Sequence, residues 1–292
     1  MNEPRTLLDF LQLTTEHFKK NGVESARLEA ELMLAHVLKL DRVGLYVRYD
    51  QPLKPEEVAA YRGLVKRRSR HEPAQYILGK REFWSLSFEV EKGVLIPRPD
   101  SEVLIEELVA LLAPQKAEPL RIADLGTGSG CLAIALATEL TAAEVWAGDI
   151  ADIPLRVAQH NAERLGVGAR VKVVRADSLA ALVALAGGPF DAVVSNPPYI
   201  PTAAYQELPP HIKGWEPPEA LHAGVDGLDV LDVIVAQAHA ALVPGGPIAL
   251  EVSDAAQAGG VLAKLQAAGF TDARIRADYA GLARAVVARR SV

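Results

Sequence analysis

The residues best suited to chemistry form one short run, Asn196-Pro197-Pro198-Tyr199, directly after the stretch Phe-Asp-Ala-Val-Val-Ser. The first proline drives Asn196 out of the right-handed helical region, and neither proline offers an N–H to neighbouring carbonyls. The result is a rigid display of one side-chain amide, exposed carbonyls and an aromatic face. Such a display can hold a planar group bearing NH₂, with Asn196 and the Pro197 carbonyl receiving its hydrogens. Alone, Asn-Pro-Pro is also an ordinary turn, so its meaning depends on what stands upstream.

Upstream stands Asp124-Leu-Gly126-Thr127-Gly128-Ser129-Gly130, which follows an apolar strand candidate and opens a helix. Glycines here permit a tight turn and close approach of a ligand to the backbone. A dinucleotide fingerprint asks for Gly or Ala three residues after its second glycine, where this chain has Cys131, and the Gly-Lys-Ser/Thr ending of a P-loop is missing. With no pyrophosphate to hold, the turn suits a ligand made of adenosine plus an amino acid; the alternative is a glycine-rich turn with no ligand. Asp149 ends the next strand candidate, where a carboxylate can accept from both ribose hydroxyls or simply cap a helix. Asp177 ends the third, within reach of an adenine edge. Cys131 reads as a small buried hydrophobe. A single cysteine excludes an internal disulfide and any zinc site of cysteine pairs, and the seven histidines show no metal-ligand spacing. No metal is expected.

The elements that must position these residues follow from periodicity. From Leu120 onward, strand candidates lie at 120–125, 144–150, 171–176, 190–195, 247–253, 271–277 and 284–289, with helices at 130–140, 153–165, 228–242 and 255–268. Alternation of this kind predicts an α/β fold, a doubly wound and mainly parallel sheet that binds ligands at the carboxyl ends of its strands. No helix separates the final two strands, so the last is expected to be antiparallel. Trp84, Leu86, Phe88 and Val90 alternate with Ser85, Ser87, Glu89 and Glu91, the period of a half-buried strand. With Tyr76 to Gly79 ahead of it, this reads as a β-hairpin linker. Asp100 can cap the helix carrying Leu104, Leu108 and Leu111. The first 72 residues read as a small helical bundle. Leu7, Leu11 and Phe18 precede a stop at Gly22; Ser25 can cap a helix through Leu28, Leu32 and Ala35; Pro55 opens a helix with Val58, Tyr61 and Val65 that Pro73 ends. The expected domains are 1–72, 73–99 and 100–292.

At 292 residues the chain is long enough for about two domains. Half of it is hydrophobic and 23% charged, which excludes a disordered tail or a disulfide-stapled miniprotein. Glu3, Arg5 and Asp9 stand where a signal peptide needs its apolar run, and no stretch approaches the ~20 apolar residues of a membrane span. A cytoplasmic protein without membrane contact is expected. The net charge of −6 is uneven: residues 1–80 carry +3 and residues 81–292 carry −9. An acidic carboxyl-terminal part argues against wrapping naked nucleic acid, whose binding is dominated by phosphate neutralisation. Arg62, Lys66, Arg67, Arg68, Arg70, Lys80 and Arg81 form a basic run, either a solvated helix face or a partner-docking patch.

Several runs together carry a resemblance: Arg-Glu-Phe-Trp at 81–84, Leu-Ile-Pro-Arg-Pro-Asp-Ser-Glu at 95–102, Asp-Leu-Gly-Thr-Gly-Ser-Gly at 124–130, Val-Ser-Asn-Pro-Pro-Tyr-Ile at 194–200, Glu216-Pro217 and Asp226-Gly-Leu228. Over nearly its whole length the chain resembles class I S-adenosyl-L-methionine-dependent methyltransferases, and most of all the bacterial release-factor glutamine methyltransferases of the PrmC/HemK family. The resemblance implies a Rossmann-like class I fold with an amino-terminal helical substrate-recognition domain. It implies methyl transfer, leaving S-adenosyl-L-homocysteine, to the glutamine amide of the Gly-Gly-Gln motif in peptide chain release factors. Carried over, the donor site is Asp124, Gly126, Thr127, Gly128, Ser129, Gly130, Asp149, Asp177, Ser178 and Asn196. The acceptor site is Asn196, Pro197, Pro198 and Tyr199, with Asn196, Pro197 and Tyr199 at the chemistry. Family members often carry a bulkier residue where Ser178 stands. They also show Glu-Ile-Gly where this chain has Glu251-Val-Ser253, a departure expected to touch none of these motifs.

An amide nitrogen is a poor nucleophile because its lone pair is delocalised, whereas a sulfonium methyl is already electrophilic. The protein therefore needs to supply alignment and acceptors for a nitrogen turning pyramidal, and neither a metal nor a covalent intermediate. The rival reading is a nucleobase methyltransferase acting on an adenine amine, with a flipped base on Tyr199; the acidic balance and the lack of a base-reading domain weigh against it. A non-catalytic donor-binding module is a third reading, against which stands the intact Asn196–Tyr199 run. The proline-rich loop 200–226 is expected to lid the acceptor site, with His211 and His222 on the surface and Arg98 in a salt bridge at the domain junction.

Overall fold

Apolar side chains recurring at helical spacing build the amino-terminal unit, shown by a computed structural model that describes residues 6–292. This unit comprises residues 1–79 with 210–215. Helix α1 (Leu7–Lys20) buries Leu7, Leu11, Thr14 and Phe18 and starts with a capping box, Thr6 N donating to Asp9 Oδ2 at 2.7 Å and Asp9 N to Thr6 Oγ1 at 3.3 Å. Gly22, at φ +72°, follows its end as expected. Helix α2 (Ala26–Leu38) buries Ala26, Ala30, Met33 and Leu34, while Leu28 is exposed and Leu32 half-buried. Its sequence is apolar around most of the circumference, so spacing alone does not select the buried face. Ser25 precedes α2 without a side-chain capping bond. Helix α3 (Arg42–Val47) follows, then α4 (Pro55–Arg68), with Pro55 in its first turn. Helix α4 ends at Arg68 rather than Pro73, which instead opens α5 (Ala74–Leu78), closed by Gly79 at φ +73°. Tyr76 to Leu78 are thus helical and lead through Gly79 into the hairpin without forming part of its strands. The basic run divides: Arg68 is buried against Glu29 and Arg67 pairs with Glu72 at 2.5 Å, while Arg62, Lys66 and Arg70 stay exposed.

Residues 80–209 with 216–292 form the second unit. It opens with strands β1 (Lys80–Phe83) and β2 (Leu86–Glu89), paired antiparallel. Trp84 and Ser85 make the turn between them at φ +51° and +56°, so the expected strand from Trp84 is cut short. Glu102 and Glu139 hold that turn, accepting from Trp84 N at 2.8 Å and Trp84 Nε1 at 2.7 Å. A 3₁₀ turn, Pro99–Ser101, leads into α6 (Glu102–Leu112). Asp100 lies within that turn and faces Arg284 at 3.5 Å, so it is not the helix cap.

Alternating elements follow: β3 (Arg121–Leu125), α7 (Cys131–Glu139), β4 (Glu144–Asp149), α8 (Asp152–Arg164), β5 (Val171–Arg175), α9 (Leu179–Ala186), β6 (Ala192–Ser195), α10 (Thr202–Gln206), then α11 (Pro210–Lys213), which belongs to the amino-terminal unit, and α12 (Asp229–Ala241), β7 (Pro247–Glu251), α13 (Ala255–Ala267), β8 (Phe270–Ala277) and β9 (Ala283–Arg290). Helix α9 is absent from the periodicity reading because Leu-Ala-Ala-Leu-Val-Ala-Leu-Ala has no polar face to give it a period. The seven strands run in the order β5-β4-β3-β6-β7-β9-β8; the first five are parallel and β9 is antiparallel to both neighbours. This is the doubly wound sheet with an antiparallel last strand expected from the sequence. All residues of β6 and β7 are buried, as strands covered on both faces must be. The strand order reverses between β3 and β6, which leaves a crevice at their carboxyl ends.

Candidate functional site

That crevice holds a cavity of about 220 Å³ lined by Leu125 to Ser129, Asp149, Asp177, Ser195 to Pro198 and Arg98, among others. The glycine turn forms its floor. Gly126, Gly128 and Gly130 take φ of +76°, +58° and +82°, which only glycine adopts without strain. A Cβ at Gly128 would meet no atom within 4 Å, so bare backbone faces the open cavity there. A Cβ at Gly130 would come within 3.2 Å of Ala158 Cα, so this glycine serves helix packing and does not line the cavity. Asp124, fully buried beneath the turn, accepts from Thr127 Oγ1 at 2.7 Å and Ala133 N at 3.2 Å. Burial pushes its carboxyl up to about 7. It braces the turn from behind and does not line the cavity.

Asp149, at the end of β4, accepts from Gly128 N at 3.0 Å and Ala151 N at 3.1 Å and lines the cavity. Each carboxylate oxygen keeps a further lone pair. Asp177 is exposed at the rim. Ser178 does not line the cavity: it caps α9, accepting from Ala181 N at 3.3 Å. Cys131 lines the cavity half-buried, with burial pushing its thiol up to about 12.

A second cavity of about 30 Å³ adjoins the first, bounded by Leu95, Arg98, Asn196, Tyr199, Ile200, Ala220 and Leu221. Asn196 lines both cavities, whereas Tyr199 lines only the smaller. Ser195 ties the strand before Asn196 to β3, its Oγ donating to the Leu125 carbonyl at 2.6 Å. Asn196 Nδ2 donates to Ser101 Oγ at 3.0 Å, and Tyr199 Oη donates to Glu251 Oε1 at 3.0 Å. Burial, with the adjacent Glu251 carboxyl, holds the Tyr199 phenol well above its ordinary range.

Arg98 bonds Glu216 at 2.6 Å, and Glu216 also accepts from Ile96 N at 3.2 Å. This salt bridge lies within the sheet-bearing unit rather than at a domain junction, and it joins the segment before α6 to the loop after Tyr199. That loop is partly helical, and His222 in it is half-buried, its Nε2 2.8 Å from Thr202 Oγ1, so it is not a free surface residue; His211 is half-buried too. The Glu251-Val-Ser253 departure does not touch the motif with its own side chain: Ser253 Oγ donates to Asp254 Oδ2 at 3.1 Å. Only the Ser253 backbone is linked to it, Ser253 N donating to Gln257 Oε1 at 2.8 Å and Gln257 Nε2 to the Tyr199 carbonyl at 3.0 Å. Ser101, Glu216 and Glu251 are the site residues that the sequence does not single out, although Ser101 and Glu216 sit inside the runs that carry the resemblance and Glu251 opens the run that departs from it. Among the described residues no cluster of His, Cys, Asp or Glu could hold a metal ion, and no helix is long and apolar enough to cross a membrane.

Comparison with known proteins adds to this geometry. A family model described as the PrmC N-terminal domain matches residues 9–79, and one described as ribosomal protein L11 methyltransferase (PrmA) matches residues 104–219. A release factor glutamine methyltransferase of Geobacter sulfurreducens is 45% identical over 97% of this chain and 96% of its own length. Another from Moorella thermoacetica is 42% identical over 98% and 99%. Among solved structures, the hMettl16 catalytic domain with the MAT2A 3′UTR hairpin 6 matches with a TM-score of 0.56 at 17% identity, covering 70% of this chain and 76% of that one. A human methyltransferase 10 domain containing protein matches with a TM-score of 0.51 at 18% identity, covering 72% and 91%. At such identities these two show the fold alone.

Proposed function

Because the chain belongs to the release factor glutamine methyltransferase family, we propose that it moves a methyl group from S-adenosyl-L-methionine to the side-chain amide nitrogen of the Gly-Gly-Gln glutamine in a peptide chain release factor. The observation that carries this reading is that Asn196 lines both the large cavity and its small neighbour. A donor in the first and an acceptor amide reaching into it from the second would meet at that residue, beside Pro197, which lines the first.

The residues of the large cavity fit the donor. Bare backbone at Gly128 leaves room beside the Asp149 carboxylate, whose remaining lone pairs can accept from ribose hydroxyls. Bound there, the donor supplies an electrophilic methyl on sulfonium sulfur. The rest is the work of this chain. Asn196 Oδ1 and the Pro197 carbonyl accept the two hydrogens of the glutamine amide and aim the nitrogen lone pair. Their hydrogen bonds tighten as positive charge develops on nitrogen, which is where preorganised acceptors lower a barrier. The Arg98–Glu216 pair fixes the loop that walls the acceptor side. We assign substrate recognition to residues 1–72, the linker to 73–99 and methyl transfer to 100–292, in a cytoplasmic setting that follows from the substrate.

Asn196→Ala tests the assignment. Removing one preorganised partner costs on the order of 10²–10³ in rate, so single-turnover methylation of release factor should fall by that order, with calorimetric donor affinity changed far less. Turnover within a few-fold of wild type would remove Asn196 from the acceptor site. The full-length relatives favour glutamine over a nucleobase amine as the acceptor.

A further inference from the structure

A side-chain amide can face its substrate with oxygen or with nitrogen, and only oxygen accepts a hydrogen from a glutamine NH₂. Something must set which end of Asn196 points inward. Asn196 Nδ2 lies 3.0 Å from Ser101 Oγ, and Ser101 Oγ lies 2.5 Å from Glu251 Oε2. Ser101 and Glu251 are buried, and Glu251 takes its second bond from Tyr199 Oη. The order of donors follows from valence. An ionised carboxylate only accepts, so Ser101 must give its single hydroxyl hydrogen to Glu251. Ser101 can then only accept from Asn196, which must turn its NH₂ toward Ser101 and its oxygen the other way.

We propose that Glu251, acting through Ser101, is a positioning residue that fixes the polarity of the Asn196 amide and so keeps its oxygen toward the acceptor nitrogen. The inference rests on the acceptor role of Asn196 proposed above. It also makes the site sensitive to protonation. A protonated Glu251 can donate to Ser101, whose hydroxyl is then free to donate to Asn196 Oδ1; the amide turns over and the acceptor is lost. The charged and titratable groups facing Glu251 are Asp100 in the turn before α6, Tyr199 after β6, Arg284 on β9 and Cys131 on α7. Burial outweighs Ser101, Tyr199 and Arg284 and brings the Glu251 carboxyl up to about 7.

The test is single-turnover methylation of release factor from pH 6 to 9 with wild type, Glu251→Gln, Ser101→Ala, Ser101→Thr and Asn196→Ala, with thermal unfolding and donor binding recorded for each. Wild type should lose activity as pH falls through about 7. Glu251→Gln can bond Ser101 in either sense, so its rate should drop, by up to about 10²-fold for a misplaced reacting group, and the acidic limb should vanish. Ser101→Ala should fall likewise while Ser101→Thr, which keeps the hydroxyl, recovers most of the rate. If the limb persists in Glu251→Gln at near wild-type rates while Asn196→Ala is inactive, the relay is wrong and the acceptor site stands; buried Asp124, also near 7, would then be the titrating group. If Asn196→Ala is itself active, both fail together.

Discussion

Asp149 shows what a single residue can settle. Its two oxygens already accept from Gly128 N and Ala151 N, so it is held in place before any ligand arrives. A ribose hydroxyl donating to a carboxylate so fixed makes a charge-assisted bond worth about 1.5–3 kcal/mol. Asp149→Ala should weaken donor binding by that amount in calorimetry, and equal affinities would take Asp149 out of the site. Asp149 and Asn196 were both legible in the chain because each closes a strand next to a motif with its own backbone signature. Ser101 and Glu251 were not. They touch each other across 150 positions, and their pairing exists only because α6 and β7 are brought together by the fold. Nothing in the spacing of either residue reports that contact. Ser178 misleads for a related reason: a serine next to a strand-end aspartate reads as a ligand contact until α9 is seen to begin there.

At the scale of elements, the strands and long helices of the sheet were legible to within one or two residues, because short apolar strand runs, two of them buried throughout, alternate with longer helical runs and are separated by turn residues. Segments without a period were not: α9 is apolar throughout, and the Trp84-Ser85 turn depends on two positive-φ residues held by distant glutamates. One buried amide joins the hairpin to the glycine turn. Asn161, on α8, accepts from Glu89 N at 2.9 Å and donates to the carbonyls of Glu89 and Ser129 at 3.0 Å each. It therefore braces β2 and the glycine turn with one side chain. Asn161→Leu keeps the size but strips partners from three backbone groups, and each group left buried and unpaired costs about 1–3 kcal/mol. Urea unfolding should show a clear fall in midpoint, and donor affinity should drop with it as Ser129 loses its anchor. A midpoint matching wild type would mean that the turn is braced some other way.

For the whole molecule, the question is what the helical unit is for. Its core of Leu7, Phe18, Met33, Leu34 and Tyr61 is built from its own residues, and the two clusters around the sheet draw none of theirs from it. Nor does it line the large cavity. Losing it should therefore spare donor binding. What it offers outward is charge: Arg62, Lys66 and Arg70 are exposed on or just beyond α4, unpaired with any acid among the described residues at ion-pair distance, whereas Arg67 and Arg68 are spent on Glu72 and Glu29. Exposed charges of one sign speed and orient the encounter with a large partner more than they add final affinity, and salt weakens the effect. A chain starting at Lys80 should bind the donor within a few-fold of the full chain and methylate a short Gly-Gly-Gln peptide comparably. It should methylate intact release factor poorly. Residues 210–215 cluster with the helical unit, so the peptide assay also controls for damage to that loop. Reversing Arg62, Lys66 and Arg70 to glutamate in the full chain should raise KM for release factor, leave kcat nearly unchanged and flatten the salt dependence. If the shortened chain is folded and as active as the full one on intact factor, recognition lies in the sheet-bearing unit and the three cations are solvated surface. If the shortened chain fails but the triple reversal does not, the unit recognises its partner through apolar contact rather than charge.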